Sequence, residues 1–199
     1  MSGPVAVFWF RRDLRIEDNH GLYQALSCGL PVLPIFVFDK NILDSLNSRK
    51  DARVSFIHQT LAELNTYFLR SNSSLLAYYD TPLAAFEKLI SSYNVQHVFT
   101  NHDYEPYATE RDEKIKQLLS VKNISFHTFK DQVIFEKSEV LKSDCQPYTV
   151  FTPYSKVWKI KYNTEKIKHY GSEKISNQYF KTQALAFPSL DAMGFEPSE

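Results

Sequence analysis

The sequence predicts an α/β fold, a doubly wound five-stranded parallel sheet with helices on both faces, followed by a linker segment. Three observations predict it. Short apolar runs alternate with segments of helical period through about residue 130, the first runs lack polar alternation as strands buried on both faces do, and cap or turn residues punctuate the junctions. Length agrees: 199 residues, 43% of them hydrophobic, suit one domain, which at this size buries roughly 70% of its unfolded surface.

The first strand is the run from Pro4 to Phe10, which ends abruptly at Arg11-Arg12-Asp13. Asp18 or Asn19 can cap the helix that follows, with Leu22, Ala25 and Leu26 at helical spacing and Gly29 stopping it before Pro31. Pro31 to Phe38, closed by Asp39, is the second strand and completes a βαβ unit. After a polar loop, residues 51–70 set Val54, Ile57, Leu61, Leu64 and Phe68 on one helical face, and Leu75 to Tyr79 forms the third strand. Pro82 opens a helix carrying Leu83, Phe86, Leu89 and Ile90, since proline suits a first helical turn. Gln96 to Thr100 is the fourth strand, 105–121 a charged helix, and Ile124 to Phe129 the fifth strand. Repeated βα units require right-handed crossovers, hence a parallel, Rossmann-like sheet covered on both sides; this core is assigned to residues 1–130.

Beyond it the alternation stops. Residues 131–182 are expected to form domain-closing helices and the start of a linker, and 183–199 an interdomain connector with two prolines and little charge. Within 151–181 stand seven Lys against two Glu, read as a solvated linker helix in preference to a nucleic-acid surface. Overall balance, 23 basic against 23 acidic side chains, argues against a domain that grips nucleic acid by charge alone. Cys28 and Cys145, far apart and outside any metal-type spacing, suit a reduced cytoplasmic protein, and the apolar stretches are too short to cross a bilayer. The aromatic content of 15% is read as a large aromatic core.

In an open parallel sheet, ligands bind beyond the carboxyl ends of the strands where strand order reverses. Arg11, Arg12, Asp13 and Arg15, Asp39, and Asn101, His102, Asp103 and Glu105 are expected there, around an aromatic-lined crevice at the ends of strands one, two and four. With glycines only at 3, 21, 29, 171 and 194, no strand is followed by a dinucleotide or P-loop glycine pattern, and no G-x-S-x-G elbow exists. His97, His102 and Asp103 have a spacing that fits no common metal site. No catalytic residue is assigned.

Three segments carry more information: Trp9-Phe10-Arg11-Arg12-Asp13-Leu14-Arg15 with Asp18-Asn19; Asn101-His102-Asp103-Tyr104-Glu105-Pro106-Tyr107 with Arg111-Asp112; and Pro147-Tyr148-Thr149-Val150-Phe151-Thr152-Pro153-Tyr154 with Trp158. In order and spacing they resemble the amino-terminal domain of the DNA photolyase and cryptochrome family. Similarity runs from Val5 to Trp158 and, more weakly, to Leu190-x-x-Met193-Gly194-Phe195.

The resemblance implies an α/β antenna and scaffold domain, joined in relatives to an FAD-binding helical domain that this sequence lacks. There, light-excited reduced FAD repairs cyclobutane pyrimidine dimers in DNA. It also implies a chromophore site. Relatives that bind folate carry Asn-Glu where Tyr107-Ala108 stand here, whereas Arg11, Phe36, Arg53, Asp103 and Glu105 are closer to relatives that bind a deazaflavin or FMN. Expected partners are UV-damaged DNA through the full-length protein and the helical domain itself, in a monomer away from membranes. Two alternatives stay open: the same domain of a signalling cryptochrome, and a stand-alone nucleotide-binding α/β domain.

Overall fold

The computed structural model describes residues 3–198. Five strands, β1 (Val5–Phe10), β2 (Val32–Asp39), β3 (Leu76–Asp80), β4 (Val95–Asn101) and β5 (Ser125–Phe129), form one all-parallel sheet in the order β3-β2-β1-β4-β5. β1 and β2 are buried along their whole length, which is why their sequences are uninterrupted apolar runs. Side-chain alternation along β1 then divides the core in two. Ala6, Phe8 and Phe10 pack under α1 (His20–Leu26) and α3 (Ala52–Arg70), whereas Val5, Val7 and Trp9 pack under α4 (Pro82–Ser92) and α5 (Pro106–Val121).

Local chemistry sets the helix starts. Asn19 caps α1 by accepting from Leu22 N, Asp51 caps α3 through Arg53 N, and Thr81 caps α4 ahead of Pro82. A short helix, α2 (Lys40–Leu43), occupies the mostly polar loop after β2; the Asp39 side chain starts it by accepting from Asn41 N. Gly29 takes φ +87 just after α1 and releases the chain toward β2.

After β5 the chain is irregular until α6 (Phe151–Thr164), a helix with no buried residue. It is held by Trp158 against Phe135 at 5.6 Å and by Lys161 Nζ donating to Glu139 O at 2.8 Å. Residues 183–198, which the sequence suggests as a connector, lie against the core; Glu199 falls outside the described residues. Tyr179 bridges Val32 and is fully buried, and Leu185 N donates to Ser74 Oγ. Met193 and Phe195 insert into the cluster beneath α3, where Glu196 N reaches Arg49 O. Scattered hydrophobes in a prolyl tail look like a linker in sequence because their partners, on α3 and β2, are more than a hundred residues away.

Truncating a buried Met side chain costs about 2–5 kcal/mol. Met193→Ala is therefore expected to lower the urea-unfolding free energy by at least about 2 kcal/mol, measured on the purified chain. A loose connector would show no change.

Candidate functional site at the switch point

Strand order reverses between β1 and β4, and there the residues after β1, β4 and β5 enclose a cleft of about 280 Å³. Arg11, Arg12, Asp13 and Arg15 come from the β1 loop, Asn101, His102 and Asp103 from the end of β4, and Asp131 and Gln132 from beyond β5.

Asn101 is the hinge pin of the site. Its side chain, almost fully buried, donates from Nδ2 to Asp13 Oδ2 (2.6 Å) and to Asn19 Oδ1 (2.8 Å), and Oδ1 accepts from Gly21 N (2.8 Å). Its backbone carbonyl accepts from Arg11 Nη2. One amide thus joins β4, the β1 loop and the first turn of α1. Gly21 is required by the same contact, because a Cβ there would stand 2.6 Å from Asn101 Oδ1 and 3.0 Å from Phe8.

Around this pin the cations are paired. Arg11, nearly buried, donates from Nη1 to both carboxylate oxygens of Asp112 (2.7 Å each), and its guanidinium lies over Trp9 at 5.1 Å. Arg111 lies over the same indole at 4.9 Å and contacts Asp112 and Asp103. Desolvation lowers the proton affinity of Arg11, and Asp112 opposes that shift. Arg12 bridges Asp103 (3.6 Å) and Glu105 (2.6 Å), and Arg15 pairs with Asp131 at 2.6 Å. At the end of β2, Tyr107 donates to Asp39 Oδ2; burial and that carboxylate push the phenol up to about 12.

Of the five chromophore residues suggested by the sequence, the structure brings together Arg11, Asp103 and Glu105. Phe36 lies in the core under α3, 7% exposed and edge-on to Phe38 at 4.9 Å. Arg53 folds back onto its own helix cap, Asp51, with its side chain 74% exposed. Its hydrogen bond holds the Asp51 carboxyl at about 2. Neither Phe36 nor Arg53 lines the cleft at β1, β4 and β5, and among the described residues no Phe, Tyr or Trp does; its lining is polar. The reason is side-chain alternation, which turns Phe36 to the α3 side while Arg11 lies over Trp9 on the α5 side. The residues present do not fit a stacked flat chromophore, since such pockets are mostly apolar and typically span about 300–1,000 Å³. Sequence reasoning missed Asp131 and Gln132, which belong to no motif and reach the cleft only because β5 pairs with β4. Arg111 and Asp112 stand within a quoted motif, and burial of Arg11 is what turns them from surface ion pairs into part of the site.

An open parallel sheet with a paired-charge cleft at its switch point and no glycine loop defines an α/β domain outside the P-loop and dinucleotide-enzyme classes. The chain belongs to the DNA photolyase family, whose model matches residues 6–171. It is 33% identical over 158 residues to an uncharacterized 31.6 kDa protein in the atpI 5' region of Synechococcus sp. (strain PCC 6716), covering 79% of this chain and 55% of that one. It is 31% identical over 158 residues to a deoxyribodipyrimidine photo-lyase of Synechococcus sp. (strain ATCC 27144), covering 79% of this chain and 32% of the relative. The chain therefore spans about a third to a half of these curated relatives. A bacterial class III photolyase structure from Agrobacterium tumefaciens superposes with TM-score 0.72 at 24% identity, covering all of this chain and 37% of that one, and so shares the fold. Among the described residues, no helix is long and apolar enough to cross a membrane.

His20 links the site to the carboxyl-terminal segment. It stacks on Tyr170 at 3.8 Å and donates from Nδ1 to Lys130 O at 3.0 Å, so the neutral ring carries its proton on Nδ1 and accepts from Gln24 at Nε2. Desolvation holds its pKa below the ordinary 6.5, the bond to Lys130 acting against the shift. A folded-state value below the unfolded one means that the unfolded chain takes the proton first, so stability is full above 6.5 and is lost as pH falls toward the folded value. The melting temperature is expected to decline as pH drops from 7 to 5.5. His20→Gln should show a shallower decline over that interval in calorimetric scans.

Proposed function

We propose that this α/β domain is the amino-terminal scaffold of a light-driven deoxyribodipyrimidine photolyase, with the FAD-dependent splitting of cyclobutane pyrimidine dimers belonging to a helical domain beyond these residues. The single observation that carries the reading is the family match over residues 6–171, nearly the whole of the ordered fold. The deoxyribodipyrimidine photo-lyase relative, of which the chain spans 32%, supports the division of labour. Among the described residues the cleft offers paired charges and no constellation of nucleophile and oxyanion donors, which suits a domain that positions and does not itself catalyse.

The antenna role favoured by the resemblance, with a deazaflavin or FMN in preference to folate, is not supported by the residues as placed. Phe36 and Arg53 are removed from the cleft, and Arg11 is committed to Asp112. The scaffold role is the part that these observations support. DNA is a partner of the whole protein in this reading. The domain's own charge is balanced, and of its Lys-rich 151–181 segment, expected as one linker helix, only 151–164 is helical, with Lys156, Lys159 and Lys161 on it and the other lysines in the irregular chain that follows.

The test is a domain exchange. The 199-residue chain alone is expected neither to retain FAD through gel filtration nor to repair a dimer-containing oligonucleotide under near-UV light. Substituted for the α/β domain of the Synechococcus photolyase, it is expected to give a chimera that binds FAD and repairs. Repair by the chain alone, or a chimera that folds without binding FAD, would contradict the proposal. A chimera that binds FAD and is photoreduced without repairing would favour the cryptochrome reading.

A further inference from the structure

Fourteen residues long, α6 buries none of them. A helix of this length is marginal in water by itself, and helical periodicity divides its surface into three. Tyr154, Trp158 and Lys161, half-buried, form the seam on the body of the domain. Lys156 and Lys159 stand on the opposite, outward side. Between seam and lysines, Val150, Val157 and Ile160 recur at spacings of seven and three and make an apolar flank, 60%, 36% and 65% exposed.

We propose that this flank is the docking site for an acid-edged amphipathic helix of the FAD-binding domain, laid beside α6 with its carboxylates facing Lys156 and Lys159. The inference rests on the scaffold reading above and names the surface through which the scaffold acts. Adjacent exposed apolar residues rimmed by charge mark an interaction site, and their spacing is that of a helix packed along a helix.

Charge narrows the occupant. Residues 151–164 contain three Lys and no Asp or Glu. Lys161 pairs with Glu165, whereas among the described residues Lys156 and Lys159 have no carboxylate partner. A second copy packed flank to flank about a two-fold axis would set two lysine edges side by side, which repel. A bilayer would meet the outward lysines before the apolar flank, the reverse of an interfacial helix.

Position narrows it further. The segment that holds α6 is anchored at the carboxyl ends of β4 and β5, where His102 bonds Glu136 at 2.8 Å and Lys130 donates to Glu139 at 2.8 Å. The carboxyl-terminal end of the chain stands on the same rim of the sheet, with Ser198 N donating to Ser55 Oγ in the first turn of α3. A domain continuing from there meets the end of the sheet at which the flank is open.

The test is amide hydrogen exchange of α6 in the 199-residue chain and in the photolyase chimera described above. Exchange over 151–164 is expected to slow at least about tenfold in the chimera. Ile160→Glu should return it to the rate of the isolated chain, as should Lys156→Glu combined with Lys159→Glu; Val121→Glu, an exposed site on α5, should not. Should Ile160→Glu unfold the chimera, the lysine pair decides. Unchanged exchange over α6 in a chimera that retains FAD overturns the inference and leaves the scaffold reading standing. A chimera that folds without FAD contradicts the scaffold reading and the inference with it. Exchange slowed in the isolated chain by dimer formation, or by phosphatidylglycerol vesicles, assigns the flank to a second copy or to a membrane and equally overturns the inference.

Discussion

The switch point depends on one buried amide. Asn101 ends β4 where the next residue must leave the sheet, and its side chain is shared by Asp13, Asn19 and the Gly21 backbone. There β4 is fixed to the β1 loop and the start of α1, which precede Asn101 by 80 to 88 residues. A buried polar group is costly unless its donors and acceptors are met, and here both protons and the carbonyl oxygen of the amide are used. The close approach leaves no room for a side chain at position 21, so a glycine stands at the second residue of α1 for a steric reason.

From that pin the character of the cleft follows. Holding the β1 loop against β4 places Arg11 between Trp9 and Asp112, and the neighbouring arginines find carboxylates within reach. Each arginine at these carboxyl ends has a carboxylate partner, so the cleft is polar but not strongly electropositive. A phosphate cradle needs free backbone N–H groups or uncommitted cations. Committed arginines define the shape of a site without supplying a reactive group. The carboxyl-terminal segment completes the frame, since Ser172 Oγ donates to Ile16 O and accepts from Asn19 N beside the same helix start.

Much of this was legible in the sequence, for identifiable reasons. The five strands and four of the helices follow from apolar runs, helical spacing and caps, and their bounds shift by only a residue or two in the structure. The candidate site was legible by position and only in part by partner. Arg11, Asp103 and Glu105 stand where the loops begin, whereas Phe36, named through the family resemblance, lies on a strand buried on both faces, whose sequence shows no alternation from which its side could be read. Asp131, Gln132 and the packing of 183–198 depend on contacts over a long sequence separation, which no local pattern records.

The most direct measurement of the central claim is equilibrium urea unfolding of Asn101→Ala. Removing the amide leaves the Gly21 N–H and the Asp13 carboxylate without their buried partner, at about 1–3 kcal/mol for each group so exposed. The account predicts a loss of about 3 kcal/mol or more. A loss within the roughly 0.5 kcal/mol typical of surface substitutions would show that the switch point is held by something else.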